Sequence, residues 1–194
     1  MSTEQRLAKL KKAAEARQKD LAVVLEDIHD PHNAAAVFRT CDALGIQNVY
    51  LIFEEEKSFN PRRVGKVSSS SANKWLDFYV YHSTKECLRE LKKAGYRIFA
   101  TALAPGARSI FKTNFKNQKV ALLLGNEHRG LSARALELAD KKVILPMRGL
   151  VQSLNLSVTA AIFLYEVVRQ RQNQPGCFLS KKESQKLLKS FSQR

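Results

Sequence analysis

The chain of 194 residues holds eight glycines, and no two of them stand as GxG. The glycine-rich turn that cradles a dinucleotide pyrophosphate is therefore missing, and so is the GxxxxGK[ST] phosphate loop. Both absences count against conventional nicotinamide enzymes, P-loop nucleotidases and methyltransferases built on a glycine-rich loop. GxSxG is missing too, which removes the usual serine-hydrolase elbow. Three cysteines, at positions 41, 87 and 177, form no CxxC pair. Neither a disulfide framework nor a zinc knuckle is indicated, and ordinary reduced thiols are expected. His29 and His32 have HxxH spacing, but no further ligands stand where a metal site needs them, so no metal is expected. No apolar run approaches the ~20 residues that span a bilayer. The opening MSTEQRLAKLKK lacks an apolar signal core. The reading is a soluble, cytoplasmic protein with no membrane partner.

Acidic residues are also scarce: 18 against 33 Lys and Arg, a formal charge of +15. Such a field draws polyanions and says nothing about fold, with nucleic acid ahead of an anionic membrane surface. Apolar residues make up 44% of the chain, enough for one good core.

Short β-branched runs alternate with helical stretches. Strands are expected at Leu21–Ile28, Val49–Phe53, Phe78–Tyr81, Arg97–Leu103, Val120–Leu124 and Val143–Leu145. VALLL at 120–124 is apolar on both alternations, as in a strand buried on both faces. Helices are expected near Ala34–Leu44, Thr84–Ala94, Ala133–Ala139 and Leu154–Gln170, with Ser83 and Glu86 as a capping box. The pattern predicts an α/β fold: a mostly parallel sheet flanked by helices. The ends differ from the middle. Residues 1–20 carry six Lys/Arg against three Asp/Glu, and 168–194 carry seven against one. Ser180 and Glu183 would cap a short helix burying Leu187, Leu188 and Phe191. The division is thus a basic helical extension over 1–20, a core over 21–172 and a basic extension over 173–194. Solvated or disordered tails are the plainer alternative. The serine run Ser68–Ser71 reads as a loop.

Three constellations stand out. In the first, Asn33 begins a helix after a strand and Arg39 follows, turned away from the Val37–Leu44 core face. From spacing alone, Asn33 as a cap and Arg39 as a surface charge is the favoured reading. In the second, the apolar strand runs into Gly125-Asn126-Glu127-His128-Arg129-Gly130-Leu131-Ser132. Gly125 would let backbone approach a ligand at the carboxyl end of a strand, where ligands gather in open α/β sheets. Glu127 there could orient loop amides or face solvent. In the third, Leu145-Pro146-Met147-Arg148-Gly149 leads to Ser153-Leu154-Asn155 at the head of a long apolar helix. By periodicity alone it is a capped core helix.

Together, N33…R39, GNEHRGLS (125–132) and LPMRGLVQSLNLSVTAA (145–161) resemble the three ordered motifs of the TrmH branch of the SPOUT superfamily, RNA ribose methyltransferases. The resemblance covers about residues 20–170. Leu145, Leu156 and Thr159 replace the usual Ile, Val and Ala, and no polar group is lost. The resemblance implies a C-terminal deep trefoil knot, a homodimer, and S-adenosyl-L-methionine as cofactor. It implies cofactor contacts at Thr101, Leu103, Leu124, Gly125, Asn126, Glu127, Gly130, Leu145, Pro146, Met147, Ser153, Leu154 and Asn155. Arg39, Asn33, Glu127, Ser153 and Asn155 would be catalytic. A guanidinium is effectively always protonated, so Arg39 is expected to grip a phosphate and stabilise developing alkoxide rather than to take a proton. RNA contacts are expected at Arg6, Lys9, Lys11, Lys12, Arg39, Arg169, Arg171, Lys181, Lys182 and Lys186. Within the branch, the basic flanks are most similar to those members that methylate guanosine 18 of tRNA. Ribosomal RNA as substrate, or a non-catalytic RNA-binding protein on the same fold, are the alternatives.

Overall fold

Residues 3–65, 69 and 71–194 are described in the computed structural model. The expected loop over 68–71 lies outside the described residues except at Ser69 and Ser71. The chain runs through α1 (Thr3–Glu15), β1 (Leu21–Glu26), α2 (Pro31–Ala43), β2 (Asn48–Ile52), β3 (Asp77–Tyr81), α3 (Thr84–Lys93), β4 (Tyr96–Thr101), β5 (Arg108–Ser109), β6 (Lys119–Leu124), α4 (Ala133–Leu138), β7 (Lys141–Ile144), α5 (Leu156–Arg171) and α6 (Lys181–Ser192). The strands form one sheet in the order β3-β2-β1-β6-β4-β7-β5. Every pairing in it is parallel.

The apolar alternations explain why helices lie on both faces. Leu21, Val23 and Leu25 of β1, with Leu122 and Leu124 of β6 and Phe99 of β4, face α2 and α5 through Val37, Phe38, Ala160, Phe163 and Leu164. Val24, Ala121, Leu123, Ile98 and Ala100 point the other way, to Cys87, Leu88 and Leu91 of α3 and Ala135 of α4. A strand covered on both sides needs apolar residues along its length; all six residues of β1 are buried, and the one charged member, Glu26 at its end, accepts from the Thr84 and Ser132 hydroxyls. Cutting one such leucine to alanine costs about 2–5 kcal/mol. All three cysteines are free and buried, and burial pushes the Cys87 thiol up to about 12.

Helix starts mostly follow the sequence. Ser132 accepts from Ala135 N and Ser180 from Glu183 N, the latter in a full capping box. Ser83 accepts from Glu86 N at 3.4 Å, one half of the expected box. Asn33 corrects its expectation: Asp30 is the cap of α2, accepting from His32 N at 2.8 Å. Pro31 occupies the first turn, where its missing N–H costs nothing, and Asn33 is left free for another task. Strand β5 is new; two residues are too few for any periodicity to show.

The two terminal helices meet. Leu10 and Ala14 of α1 pack on Phe191 of α6, with Trp75 against them. Arg17 is 2% exposed. Its guanidinium donates to Asp42 Oδ1 at 2.5 Å and Ile46 O at 3.3 Å, and lies over the Phe191 ring. Arg171, expected to meet RNA, is likewise 2% exposed. It donates to Gln118 O at 2.7 Å and Lys19 O at 2.5 Å. That placement corrects the expectation: a guanidinium closed over by two carbonyls anchors α5 and has no access to a phosphate.

Candidate active site

Parallel pairing puts the carboxyl ends of β4, β6 and β7 side by side, and a cavity of about 660 Å³ opens there. Thr101 and Leu103 come from β4 and its exit, Leu124–Leu131 from β6 and the loop after it, and Leu145, Met147 and Gln152–Asn155 from the approach to α5. Leu156, Thr159 and Phe163 of α5 close the floor.

The loop after β6 is shaped by its glycines. Asn126 N donates to Gly130 O and Gly130 N to Asn126 O, a closed two-way bridge. A Cβ on Gly125 would stand 2.4 Å from Gly130 C and 2.5 Å from Gly130 O, so no side chain fits. Inside the bridge, Asn126 Oδ1 accepts from His128 N at 2.8 Å and Arg129 N at 3.0 Å, while Nδ2 donates to Asp27 O at 2.7 Å. Asp27 Oδ1 in turn accepts from the amides of Glu54, Glu55 and Glu56 at 2.8–3.1 Å. Arg129 ion-pairs with Glu55 and with Glu56, the latter at 2.8 Å. His29 Nδ1 lies 3.2 Å from Glu56 Oε2. One rim of the cavity is thereby tied to the exits of β1 and β2.

A second chain of bonds joins the three motif segments. Glu127 Oε1 accepts from Asn33 Nδ2 at 2.9 Å and Asp30 N at 3.3 Å, and Oε2 from His29 N at 2.9 Å. Asn33 Oδ1 accepts from Asn155 Nδ2 at 3.1 Å. Asn155 Oδ1 caps α5, accepting from Ser157 N at 2.8 Å. Asn33 and Asn155, 122 positions apart, are thus joined side chain to side chain.

The profile of the SpoU rRNA Methylase family matches residues 20–165. The chain belongs to this family. It is 36% identical over 193 residues to a tRNA (guanosine(18)-2'-O)-methyltransferase of Aquifex aeolicus, covering 97% of this chain and 89% of that one. Identity to the protein of the same description from Thermus thermophilus is 39% over 171 residues, covering 87% and 84%. Among solved structures, an A. aeolicus TrmH/SpoU tRNA modifying enzyme superposes with a TM-score of 0.87 at 34% identity, covering 98% and 96%. The SpoU methyltransferase AviRb of Streptomyces viridochromogenes, solved with AdoMet, gives 0.69 at 29%, covering 82% and 63%.

In this SpoU family member the cavity gathers Asn33, Thr101, Leu103, Leu124, Gly125, Asn126, Glu127, Gly130, Leu145, Met147, Ser153, Leu154 and Asn155. Pro146 and Arg39 are not in its wall. Arg39 sits exposed on α2, its side chain without a hydrogen bond or ion pair to another described residue. Arg6, Lys9, Lys11, Lys12, Arg169, Lys181, Lys182 and Lys186 are exposed, and Arg169 is paired with Glu166 at 2.7 Å. Motif reading missed Arg129, Gln152, Thr159 and Phe163. Thr159 and Phe163 share a face of α5 with Leu156 at helical spacing, so periodicity could have supplied them. Nothing in the sequence ties Arg129 to Glu55 and Glu56.

Proposed function

We propose that this protein methylates the ribose 2'-hydroxyl of guanosine 18 in tRNA, using S-adenosyl-L-methionine. The observation that carries the substrate is that similarity to tRNA (guanosine(18)-2'-O)-methyltransferases runs through both basic ends of the chain. A 23S rRNA (guanosine-2'-O-)-methyltransferase of Ralstonia nicotianae matches over only 80% of this chain and 61% of its own length. The cavity suits the cofactor. Leu103, Leu124, Leu145 and Phe163 offer apolar walls for an adenine, and the Gly125 cradle brings backbone amides and carbonyls within reach. When bound, the cofactor supplies an electrophilic methyl carbon to the ribose oxygen.

The chain's own residues do the rest. Glu127 fixes Asn33, and Asn33 with Asn155 presents amide groups at the mouth of the cavity, next to Ser153. Arg39 supplies a permanent positive charge for a phosphate and for the alkoxide that develops as the hydroxyl loses its proton. Its place outside the cavity wall fits a residue that reaches the acceptor rather than the donor. The same reading includes a C-terminal trefoil knot, cytoplasmic location, and a homodimer. For the dimer, the exposed apolar residues Val151, Val158 and Tyr165 along α5 and its approach offer a contact surface. The basic extensions at 1–20 and 173–194 would bind the tRNA body.

The test is methylation of mixed tRNA and, in parallel, ribosomal RNA with labelled cofactor, followed by mapping of the modified nucleotide. Label at the ribose of guanosine 18 is expected. Label on a base, or only on ribosomal RNA, refutes the assignment. Arg39→Lys should keep part of the activity if charge alone matters. Total loss with intact cofactor affinity would instead show that the planar fork is needed.

A further inference from the structure

Beside the cavity, across Val143, which lines both the cavity and a second cleft, the sheet register assembles three cations. Lys141 of β7 pairs with Phe99 of β4, and Val143 of β7 pairs with Arg108 of β5. Arg97 stands two residues before Phe99 on the same strand. Side chains alternate with period two, and residues paired across parallel strands share a face. Arg97, Lys141 and Arg108 therefore all project from one face, on three neighbouring strands. With strands about 4.8 Å apart and about 3.3 Å of rise per residue, each stands roughly 8 Å from the next along a diagonal. They line one cleft of about 190 Å³, floored by Phe99 and Val143 and edged by Thr113.

Three features set this cleft apart from a generally basic surface. No carboxylate lines it among the described residues. The neighbouring Asp140 is committed elsewhere, to Lys92 Nζ at 3.0 Å and Ile98 N at 2.8 Å. The side chains of Arg108 and Lys141 make no hydrogen bond or ion pair with another described residue, and Arg97 donates only to the neutral Gln118 Oε1 at 3.2 Å. Cations gathered in a concavity repel one another until an anion enters. The floor is rigid, because Phe99 and Val143 are core residues at 1% and 0% exposure. The volume admits an oxyanion with several waters, at about 30 Å³ per water.

We propose that Arg97, Arg108 and Lys141 form a phosphate-binding pocket that adjoins the cofactor cavity through Val143 but whose three cations lie outside that cavity's wall, and that is distinct from the basic terminal helices. Its ligand is a phosphate group, either one on the RNA backbone or a free inorganic phosphate. The RNA source rests on the function proposed above; the free ion does not.

The test uses the full-length protein and the Arg108→Gln/Lys141→Gln double variant, whose exposed side chains leave no bond broken. Three quantities are read: tRNA affinity against salt, thermal stabilisation by inorganic phosphate at fixed ionic strength, and cofactor affinity by calorimetry as a check on the cavity. If the ligand is RNA phosphate, the variant should bind tRNA at least several-fold more weakly. Its slope of log affinity on log salt should be shallower by about one to two, from two lost contacts at ~0.7–0.9 each. If the ligand is free phosphate, tRNA binding stays unchanged, while wild type gains stability with phosphate and the variant does not. Unchanged tRNA binding together with equal phosphate responses overturns the proposal. Should the wild type fail to bind tRNA at all, the proposed function falls and the phosphate comparison still decides the pocket.

Discussion

Replacing Glu127 by Gln keeps the shape of the side chain and removes one acceptor and the charge. The carboxylate now receives three donors, from Asn33 Nδ2, Asp30 N and His29 N. A glutamine can turn its oxygen toward Asn33 and Asp30, but its amide then faces the His29 N–H, donor against donor. Hydrogen bonds to a charged group contribute about 1.5–3 kcal/mol each against about 0.5–1.5 for neutral ones. Because Glu127 is only half-buried, water recovers part of the loss, and a net destabilisation of about 1–2 kcal/mol is expected. At about 2–4 °C per kcal/mol for a chain of this size, calorimetry should show Tm lower by about 2–8 °C. The functional effect should be larger. Asn33 is the hinge between Glu127 and Asn155, and a misplacement of about 1 Å costs on the order of 100-fold. We expect kcat/KM for tRNA to fall by about 10- to 100-fold, with much less change in cofactor affinity. Asn33→Ala combined with Glu127→Gln should be non-additive by about 1 kcal/mol or more. Strict additivity, or wild-type activity in Glu127→Gln, would refute the idea that this carboxylate works by holding Asn33.

Gly125→Ala should abolish cofactor binding in calorimetry and lower stability by about 1–3 kcal/mol, because the new methyl meets the Gly130 backbone and something must move; a variant that binds normally contradicts the cradle. Hydrogen bonds from Ser180, then from the Lys19 ammonium, hold the Glu183 carboxyl down at about 2. A depressed folded-state pKa gives stability that is present above the ordinary carboxylate range and lost as pH falls toward 2. Fluorescence of Trp75, the single tryptophan, which touches Phe191 of α6, should therefore change between about pH 4.5 and pH 2, and Glu183→Gln should remove that dependence. Arg171→Met strands the carbonyls of Gln118 and Lys19. Denaturant melts should show a loss of about 2–4 kcal/mol while the salt slope of tRNA binding stays put; a shallower slope would return Arg171 to the RNA contacts.

The parts of the fold visible in the sequence are those where one local rule decides. VALLL at 120–124 reads as a strand covered on both faces and is one, and Ser180 with Glu183 marks the start of α6 to the residue. Asn33 escapes such a reading because two residues compete for one job: Asp30, three earlier and before a proline, takes the cap, and no spacing rule ranks them. Arg171 escapes it because charge at a helix end looks alike whether it meets solvent or carbonyls from distant loops. Strand β5 is held by pairing with β7, a tertiary fact with no local signature. The site divides the same way. Its glycines and polar residues are readable as motifs, whereas the bonds of Glu127 to Asn33 and of Arg129 to Glu55 and Glu56 exist only once strands from both halves of the chain lie side by side.

The interior position of β1 has a consequence for synthesis. It is the first strand made, and its partner on one side, β2, follows soon after. Its other edge waits for β6, with Leu21 matched to Val120, about a hundred residues later. At about 5–20 residues per second, a ribosome leaves that edge unpaired for roughly 5–20 s. The strand is apolar on both faces and offers a row of open amides and carbonyls, the condition under which nascent chains join one another. Expression at lower temperature or with a holding chaperone should raise the soluble yield of this protein more than that of a fold whose central strands are consecutive.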